Sequence, residues 1–255
     1  MDLYVYEKGT PDQPAVVLLH GAGLSSKMWL PAVKQLNDFY ILAPDLPEQG
    51  QSVKIAPFTL DDSAARVAEL IQQRVPGGKA HVVGLSLGGA LVLTMLRLSP
   101  EVIDTAIVTG TAAVLDRWLG SFSLSMLWML RFYKPETLAE MTLKQQGIPP
   151  QYRDLMYPDL VATATEPFNR AVIHAIMDMQ LPMGNPRPLL ALIGSKETPA
   201  AKQAARKLVK NVPNTRGAVL PGLNHVWPLQ DPTLFCAVLR AWTGRAALPA
   251  QLQAL

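Results

Sequence analysis

The stretch VVGLSLGGAL, residues 82–91, places one serine between glycines in the middle of an apolar run. Such a pattern is explained by a buried strand that turns directly into a buried helix. Small residues two positions before and two positions after the serine let the strand and helix backbones approach closely. The stretch therefore predicts a strand over 80–86, a tight turn at Ser86 and a helix over 87–98.

Short apolar runs of the same kind recur along the chain, each followed by a loop signal. They are AVVLLH (15–20), YILAPD (40–45), TAIVTG (105–110), PLLALIG (188–194) and GAVLPG (217–222). Continuous hydrophobicity over so few residues is typical of strands buried on both faces of a parallel sheet. Helical patterns separate them, the clearest over 60–75 with Asp61 or Asp62 as its cap. This alternation predicts an α/β fold with a doubly wound, mostly parallel sheet.

The pattern changes over residues 112–187, which contain no clear strand-like run. We predict that this segment is a helical lid, inserted between two strands of a core domain formed by 1–111 and 188–255. An apolar stripe at helical spacing supports the prediction, with a shared buried face from Trp118 to Met129. The stripe consists of Leu115, Trp118, Leu119, Phe122, Met126 and Met129. The candidate substrate-binding residues are Trp118, Phe122, Met126, Met129 and Trp227.

Composition excludes several classes of protein. The chain has 255 residues, of which 49% are hydrophobic and 17% charged, so it can bury a substantial core. Its formal net charge is +3, and its one short cationic group has the spacing of a solvated helix face, which argues against nucleic-acid binding. That group consists of Lys202, Arg206, Lys207 and Lys210. Because Cys236 is the only cysteine, an intrachain disulfide and a cysteine-based metal site are excluded. We expect neither a cofactor nor a metal.

The sequence also bears on location. The first residues, MDLYVYEKG, do not have the pattern of a signal peptide, and the longest charge-free apolar run, 80–96, is interrupted by three glycines. We therefore expect a cytoplasmic protein without membrane insertion. Oligomeric state has no signal in the sequence.

Ser86 stands at the end of its strand, where reactive groups of parallel sheets collect. A serine that attacks a carbonyl needs a base, an acid that orients the base, and donors for the oxyanion. His225 is placed to be the base, because it follows the strand 217–222 on a loop at the same sheet edge. Glu197 is the candidate acid, since it follows a strand and lies between serine and histidine in chain order.

Other interpretations of these residues remain open from position alone. Ser86 could be a turn serine in a glycine-rich packing corner, and Glu197 could cap the helix that begins near Pro199. The aspartates are less well placed than Glu197 as the acid, because they precede a strand, fall in the predicted lid or follow the base. They are Asp104, Asp116, Asp178 and Asp231.

Five segments, in this order and spacing, resemble the α/β-hydrolase superfamily, and most of all its small capped bacterial esterases and related C–C bond hydrolases. They are HGAG (20–23), DLPEQGQS (45–52), GLSLGG (84–89), GSKE (194–197) and GLNHVWPLQDP (222–232). The resemblance covers essentially residues 3–243, and it is least specific in the predicted lid.

The resemblance implies Ser86 as nucleophile, His225 as base and Glu197 as acid. It also implies an oxyanion hole from the backbone N–H groups of Ala22 and Leu87, with His20 in a structural role.

Three positions depart from the family's usual pattern. The acid is a glutamate instead of the more frequent aspartate. Asn224 precedes the histidine where glycine is common, a position where Asn can tolerate positive φ. Glu48 and Gln49 replace a glycine and an aromatic residue or histidine.

Ester hydrolysis is the function that the sequence favours. The expected substrate is a small carboxylic ester with a hydrophobic moiety, cleaved through an acyl-enzyme intermediate. One alternative is cleavage of a C–C bond, a lactone or a thioester with the same three residues. A ligand-binding protein that keeps the fold and turns over slowly is an alternative of another class.

Overall fold

The computed structural model describes residues 2–111 and 117–255, and within them an eight-stranded sheet forms the centre of the molecule. The strands are β1 (Val5–Lys8), β2 (Ala15–Leu19), β3 (Tyr40–Pro44), β4 (Ala80–Leu85), β5 (Ile103–Thr109), β6 (Leu189–Gly194), β7 (Thr215–Leu220) and β8 (Gln253–Ala254). Their order is β1-β3-β2-β4-β5-β6-β7-β8. The pairs β1–β3 and β7–β8 are antiparallel and the other neighbours are parallel.

Helices connect the parallel strands. The α-helices are α1 (Leu30–Val33), α2 (Leu60–Arg74), α3 (Leu87–Leu98), α4 (Arg117–Met126), α5 (Pro135–Gln146), α6 (Arg153–Thr163), α7 (Glu166–Met177), α8 (Pro199–Asn211), α9 (Trp227–Gln230) and α10 (Pro232–Thr243). Short 3-10 helices cover Ser26–Trp29, Gly50–Ser52, Pro76–Gly78, Pro100–Val102, Leu127–Phe132 and Pro150–Tyr152. No helix in the described ranges combines the length and the hydropathy that crossing a bilayer requires.

The predicted α/β fold with a mostly parallel sheet is confirmed. Each predicted strand is present, and the predicted helix after Ser86 has the bounds of α3. The edge strands β1 and β8 were missed, because β1 is mostly half-buried and β8 is only two residues long. The cap of α2 was wrong: Thr59 takes that role, and its hydroxyl accepts the N–H of Asp62 at 3.1 Å.

The core lies on both faces of the sheet. All five residues of β2 are buried; Val17 and Leu19 belong to the cluster on one face, and Val16 and Leu18 to the cluster on the other. This arrangement explains why the strands are continuously apolar instead of alternating.

Helix α3 lies unusually close to the sheet. A Cβ atom at Gly84 would collide with the backbone of Gly88 and Gly89, and one at Gly88 would collide with the carbonyl groups of Leu19 and His20. The glycines of the opening stretch therefore permit direct contact of β4, α3 and the end of β2. This contact places Ser86 at the carboxyl edge of the sheet.

The segment between β5 and β6, called the insertion below, contains α4 to α7, and its described residues 117–187 include no strand. The predicted burial is wrong for three residues of the stripe: Trp118 is 72% exposed, Phe122 is 56% exposed and Met126 is 40% exposed. Met129 is half-buried, and Leu115 lies outside the described residues.

Helix α4 instead packs on α7 through its small side. A Cβ at Gly120 would collide with Met177, so Gly120 permits the close approach, and Leu127 continues the same buried side. The rings of Trp118 and Phe122 stack on each other with centroids 6.1 Å apart.

Candidate active site

Ser86 occupies a strained turn between β4 and α3. Its φ of 54° and ψ of −110° lie in a region that residues with a side chain rarely adopt. The backbone holds this geometry through the Ser86 N–H, which donates to the Thr109 carbonyl at 2.9 Å, and through the Ser86 carbonyl, which accepts the Ala90 N–H at 3.0 Å. The side chain is half-buried.

His225 and Glu197 form a hydrogen-bonded pair. His225 follows β7 and Glu197 follows β6, so both lie at the carboxyl edge of the sheet. His225 Nδ1 is 2.8 Å from Glu197 Oε2, and the carboxylate side chain is only 4% exposed while the imidazole is 24% exposed. The buried carboxylate therefore orients the ring and leaves Nε2 as the nitrogen that can exchange a proton with another group.

The longer side chain of glutamate is accommodated by a turn that folds it back onto its own strand. Glu197 Oε1 accepts the Gly194 N–H at 3.1 Å, and the Glu197 N–H donates to the Gly194 carbonyl at 3.1 Å. Helix α8 is capped by Thr198, whose hydroxyl accepts the Ala201 N–H at 3.2 Å. The cap interpretation of Glu197 is therefore wrong.

The end of β5 joins the serine turn to the imidazole. Gly110, with φ of 60°, lies against the ring of His225, since a Cβ there would be 2.7 Å from His225 Nδ1. The preceding residue, Thr109, accepts the N–H of Ser86. Thr109, at the end of β5, therefore contacts the Ser86 turn, and the next residue, Gly110, contacts the His225 ring.

Asn224 stabilises the histidine loop with its side chain. Its Oδ1 accepts the His225 N–H at 3.0 Å, and its own N–H donates to Gln230 Oε1 at 2.9 Å. The side chain of Gln230 also donates to the Gly147 carbonyl of the insertion at 3.0 Å. The positive φ of this loop, 75°, is at Gly222, so the departure at Asn224 does not require a left-handed conformation.

His20 is structural in its contacts. It is fully buried, its Nε2 accepts the Leu46 N–H at 2.9 Å, and its Nδ1 lies 2.9 Å from the Gly21 carbonyl. Because Nε2 accepts, Nδ1 carries the proton and donates to that carbonyl. Burial lowers the pKa of His20, which keeps the ring neutral.

The loop after β2 lies beside Ser86. A Cβ at Gly21 would be 3.6 Å from Ser86 Cβ, and the Gly23 N–H donates to Gln49 Oε1 at 2.9 Å. In the part of the chain that the structure describes, the N–H groups of Ala22 and Leu87 have no acceptor. Both remain available for a developing negative charge.

A cavity of about 920 Å³ adjoins this site, and Ala22, Gly110, Glu197 and His225 are part of its wall. The insertion provides the apolar part of the wall. The apolar residues are Leu130, Leu138, Met141, Leu160 and Phe168. None of Trp118, Phe122, Met126, Met129 and Trp227 is among the described residues that line it. One signal in the sequence could have indicated this wall, namely the helical spacing of four residues on α5. They are Leu138, Met141, Thr142 and Gln145.

Trp227 has a different place from the one predicted. It is fully buried, its Nε1 donates to Thr109 Oγ1 at 2.6 Å, and its ring lies 5.7 Å from that of Phe235. Trp227 therefore fixes the end of β5, which in turn holds the Ser86 turn.

Sequence reasoning missed a buried carboxylate that joins the insertion to the loop after β2. Asp159 on α6 is 7% exposed, accepts the Ser25 hydroxyl at 2.5 Å and pairs with Lys27 Nζ at 2.9 Å. Its partners lie more than 130 residues earlier in the chain, so local sequence carries no signal for the contact.

Comparisons with known proteins agree with this architecture. An AB hydrolase superfamily protein of Gibberella zeae is 35% identical over 108 residues, which are 41% of this chain but only 38% of that protein's length. A pimeloyl-[acyl-carrier protein] methyl ester esterase of Nitrosomonas europaea is 24% identical over 253 residues, covering 93% of this chain and 98% of the relative.

The solved structure of a thermophilic esterase from Thermogutta terrifontis, with malate bound, superposes with a TM-score of 0.80 at 21% identity, and covers 95% of this chain and 93% of that one. The model of the Alpha/beta hydrolase family matches residues 16–238, which is most of the chain. The chain is thus a member of the α/β-hydrolase family.

Proposed function

We propose that the chain is a serine hydrolase that cleaves a small carboxylic ester with a hydrophobic moiety through an acyl-enzyme intermediate. The observation that carries the proposal is the 2.8 Å hydrogen bond between His225 Nδ1 and the buried Glu197, beside the strained turn at Ser86. A carboxylate on one nitrogen fixes the tautomer of the ring and stabilises the imidazolium that forms when the other nitrogen takes a proton.

The reaction then proceeds in two steps. Ser86 Oγ attacks the ester carbonyl while His225 Nε2 takes the serine proton, and the N–H groups of Ala22 and Leu87 bind the oxyanion. His225 returns the proton to the departing alcohol, which leaves an acyl group on Ser86. Water, deprotonated by His225, attacks this acyl group and releases the acid.

The residues that line the cavity support a substrate with a hydrophobic moiety. Leu138, Met141, Leu160 and Phe168 give the insertion side of the cavity an apolar surface next to His225. In this proposal the insertion, residues 112–187, is the lid of a core domain formed by 1–111 and 188–255. Asp159 and Gln230 hold the lid against the catalytic loops.

Turnover of p-nitrophenyl butyrate tests the proposal. The wild-type protein should release p-nitrophenol, a fluorophosphonate should label Ser86 and block turnover, and Ser86→Ala should remove both while its circular dichroism stays native. Ser125→Ala is the matched control, because Ser125 is an exposed serine on α4. Full turnover by Ser86→Ala, or labelling of another residue, overturns the assignment.

A panel of esters, lactones and thioesters of graded chain length separates the alternatives that use the same three residues. Fast labelling by the fluorophosphonate without turnover of any member indicates the slow ligand-binding protein instead.

A further inference from the structure

Two lysines stand out in the cavity wall. Lys196 and Lys207 both line it and both are exposed. No ion pair or side-chain hydrogen bond joins either ammonium group to another described residue. An ammonium group has three N–H donors, and without a protein partner at the wall of a cavity these donors are available to a ligand.

Lys207 lies on the face of α8 that lines the cavity. Ala200, Gln203, Ala204 and Lys207 recur at helical spacing, and all four line the cavity. The other cations of this helix, Lys202, Arg206 and Lys210, are not among the described lining residues. The prediction of a solvated face agrees with the exposure of Arg206, Lys207 and Lys210, and Lys207 also borders the cavity.

The described wall offers these lysines no anion of its own. Among the described residues that line the cavity, Glu197 has the one carboxylate. Its Oε2 is hydrogen-bonded to His225 Nδ1, and its Oε1 accepts the Gly194 N–H. Lys207 lies about 12 Å along the helix axis from the first residue of α8, at roughly 1.5 Å per residue. Pro199 follows Glu197 by two residues, so Lys207 lies about two helical turns along α8 from the Glu197 loop.

We propose that the cavity takes an ester whose far end carries a carboxylate, with Lys207 as the specificity-determining residue and Lys196 adding to the positive potential. This inference rests on the proposed ester hydrolysis and names its substrate class. The apolar residues of the insertion contact the methylene chain, and the two ammonium groups attract the terminal carboxylate.

Two substrates of equal carbon count test the inference: monomethyl suberate, which has a terminal carboxylate, and methyl octanoate, which has none. The measured quantity is the ratio of their kcat/KM values. Wild type should favour the carboxylate substrate, and Lys207→Glu should lower the ratio roughly tenfold, mainly through KM, because an attraction becomes a repulsion. The double change Lys196→Glu with Lys207→Glu should lower it further. Lys207→Gln, which keeps a polar side chain, should give an intermediate ratio.

Lys210→Glu is the matched control, because it makes the same change of charge on the same helix outside the described cavity wall. Its ratio should equal that of wild type. A wild-type ratio of one or less overturns the inference while ester hydrolysis stands, as does an equal fall in Lys210→Glu and Lys207→Glu.

If neither ester is cleaved, the anion site is judged by binding, and the proposed function fails only if p-nitrophenyl butyrate is not cleaved either. Calorimetry of suberate with Ser86→Ala then decides it: binding that Lys207→Glu weakens and Lys210→Glu does not upholds the site, and equal or absent binding overturns it.

Discussion

The corner between β4 and α3 and the exposed helix α4 are both apolar in sequence, yet only the corner is buried as its pattern predicts. At the corner, Gly84 and Gly88 sit where backbones touch, and every residue of α3 from Leu87 to Leu96 is buried. In α4, the largest side chains, Trp118 and Phe122, are exposed. The corner is covered by protein on all of its sides. Only one face of α4 is covered, and the element that packs against α4 decides which face that is.

The partner of α4 selects the small face. Gly120 meets Met177 of α7, and this close contact turns the aromatic side of the helix away from the protein. An apolar stripe at helical spacing indicates that the two faces of a helix differ in hydrophobicity. It does not indicate which element packs against the helix. Hydrophobic spacing is therefore sufficient in the parallel sheet and insufficient in the insertion.

The largest expected effect concerns the acid that follows β6. Glu197→Gln keeps the shape of the side chain but removes the charge that stabilises the imidazolium of His225, so we expect kcat to fall by roughly 10² to 10⁴. Glu197→Asp should retain part of the activity if the turn at Gly194 can close the missing methylene. Steady-state kinetics with p-nitrophenyl butyrate measures both changes.

Asp231→Asn is the control for Glu197→Gln, because Asp231 caps α10 by accepting the Leu234 N–H at 2.8 Å. We expect its kcat to stay within a few-fold of wild type. Asp116, an alternative acid, lies outside the described residues. If Asp116→Asn cripples turnover and Glu197→Gln does not, the acid follows β5 and the assignment of Glu197 is wrong.

The corner itself should tolerate no added methyl group. Gly88→Ala places a Cβ against the carbonyl groups of Leu19 and His20, which belong to the backbone of the sheet and its loop. We expect the free energy of unfolding to fall by about 3 kcal/mol or more, since backbone cannot move aside as a flexible side chain can. Urea unfolding followed by circular dichroism measures the loss.

Gly184→Ala is the control for Gly88→Ala. A Cβ at Gly184 meets no heavy atom within 4 Å, and this glycine has no positive φ. Its free energy of unfolding should change by less than about 0.5 kcal/mol, or increase slightly, because alanine restricts the unfolded chain. Equal losses for the two variants would mean that close backbone contact does not define the corner.

A smaller effect is expected where the corner meets the histidine loop. Trp227→Phe removes the N–H that donates to Thr109 Oγ1 and leaves a buried hydroxyl without its donor. We expect a loss of about 1–2 kcal/mol in unfolding free energy. Because Thr109 holds the Ser86 turn, kcat should fall a few-fold with KM nearly unchanged. A change confined to KM would restore Trp227 as a substrate contact.

The sequence was sufficient for the six inner strands of the sheet because their signals are local, whereas the edge strands β1 and β8 were missed. Each of β2 to β7 is a short apolar run, and G-x-S-x-G marks the junction of β4 and α3. Chain order and strand ends also predicted that Glu197 and His225 would lie together, and the structure joins them by a hydrogen bond. The catalytic roles of these residues stay proposals.

The rest of the site depends on contacts between distant segments. Asp159 meets Ser25 and Lys27, which are far away in the chain, and neither spacing nor composition indicates that pairing. Trp227 was misassigned for the same reason, since its partner Thr109 is 118 residues away. The direction in which a large side chain points is set by such contacts.

The smallest effect should come from the exposed face of α4. Phe122→Ser removes a ring that is 56% exposed and stacks on Trp118, so the free energy of unfolding should change by less than about 0.5 kcal/mol. Leu127→Ala, in the 3-10 helix that continues the covered side of α4, should cost about 2 kcal/mol or more, because Leu127 is 8% exposed and its truncation leaves a cavity. Urea unfolding measures both. Since Phe122 does not line the cavity, kcat/KM for p-nitrophenyl butyrate should also stay within twofold. A large loss of unfolding free energy for Phe122→Ser would mean that the stripe is covered in solution. Hydrophobic spacing would then predict burial in α4 as it does in the sheet.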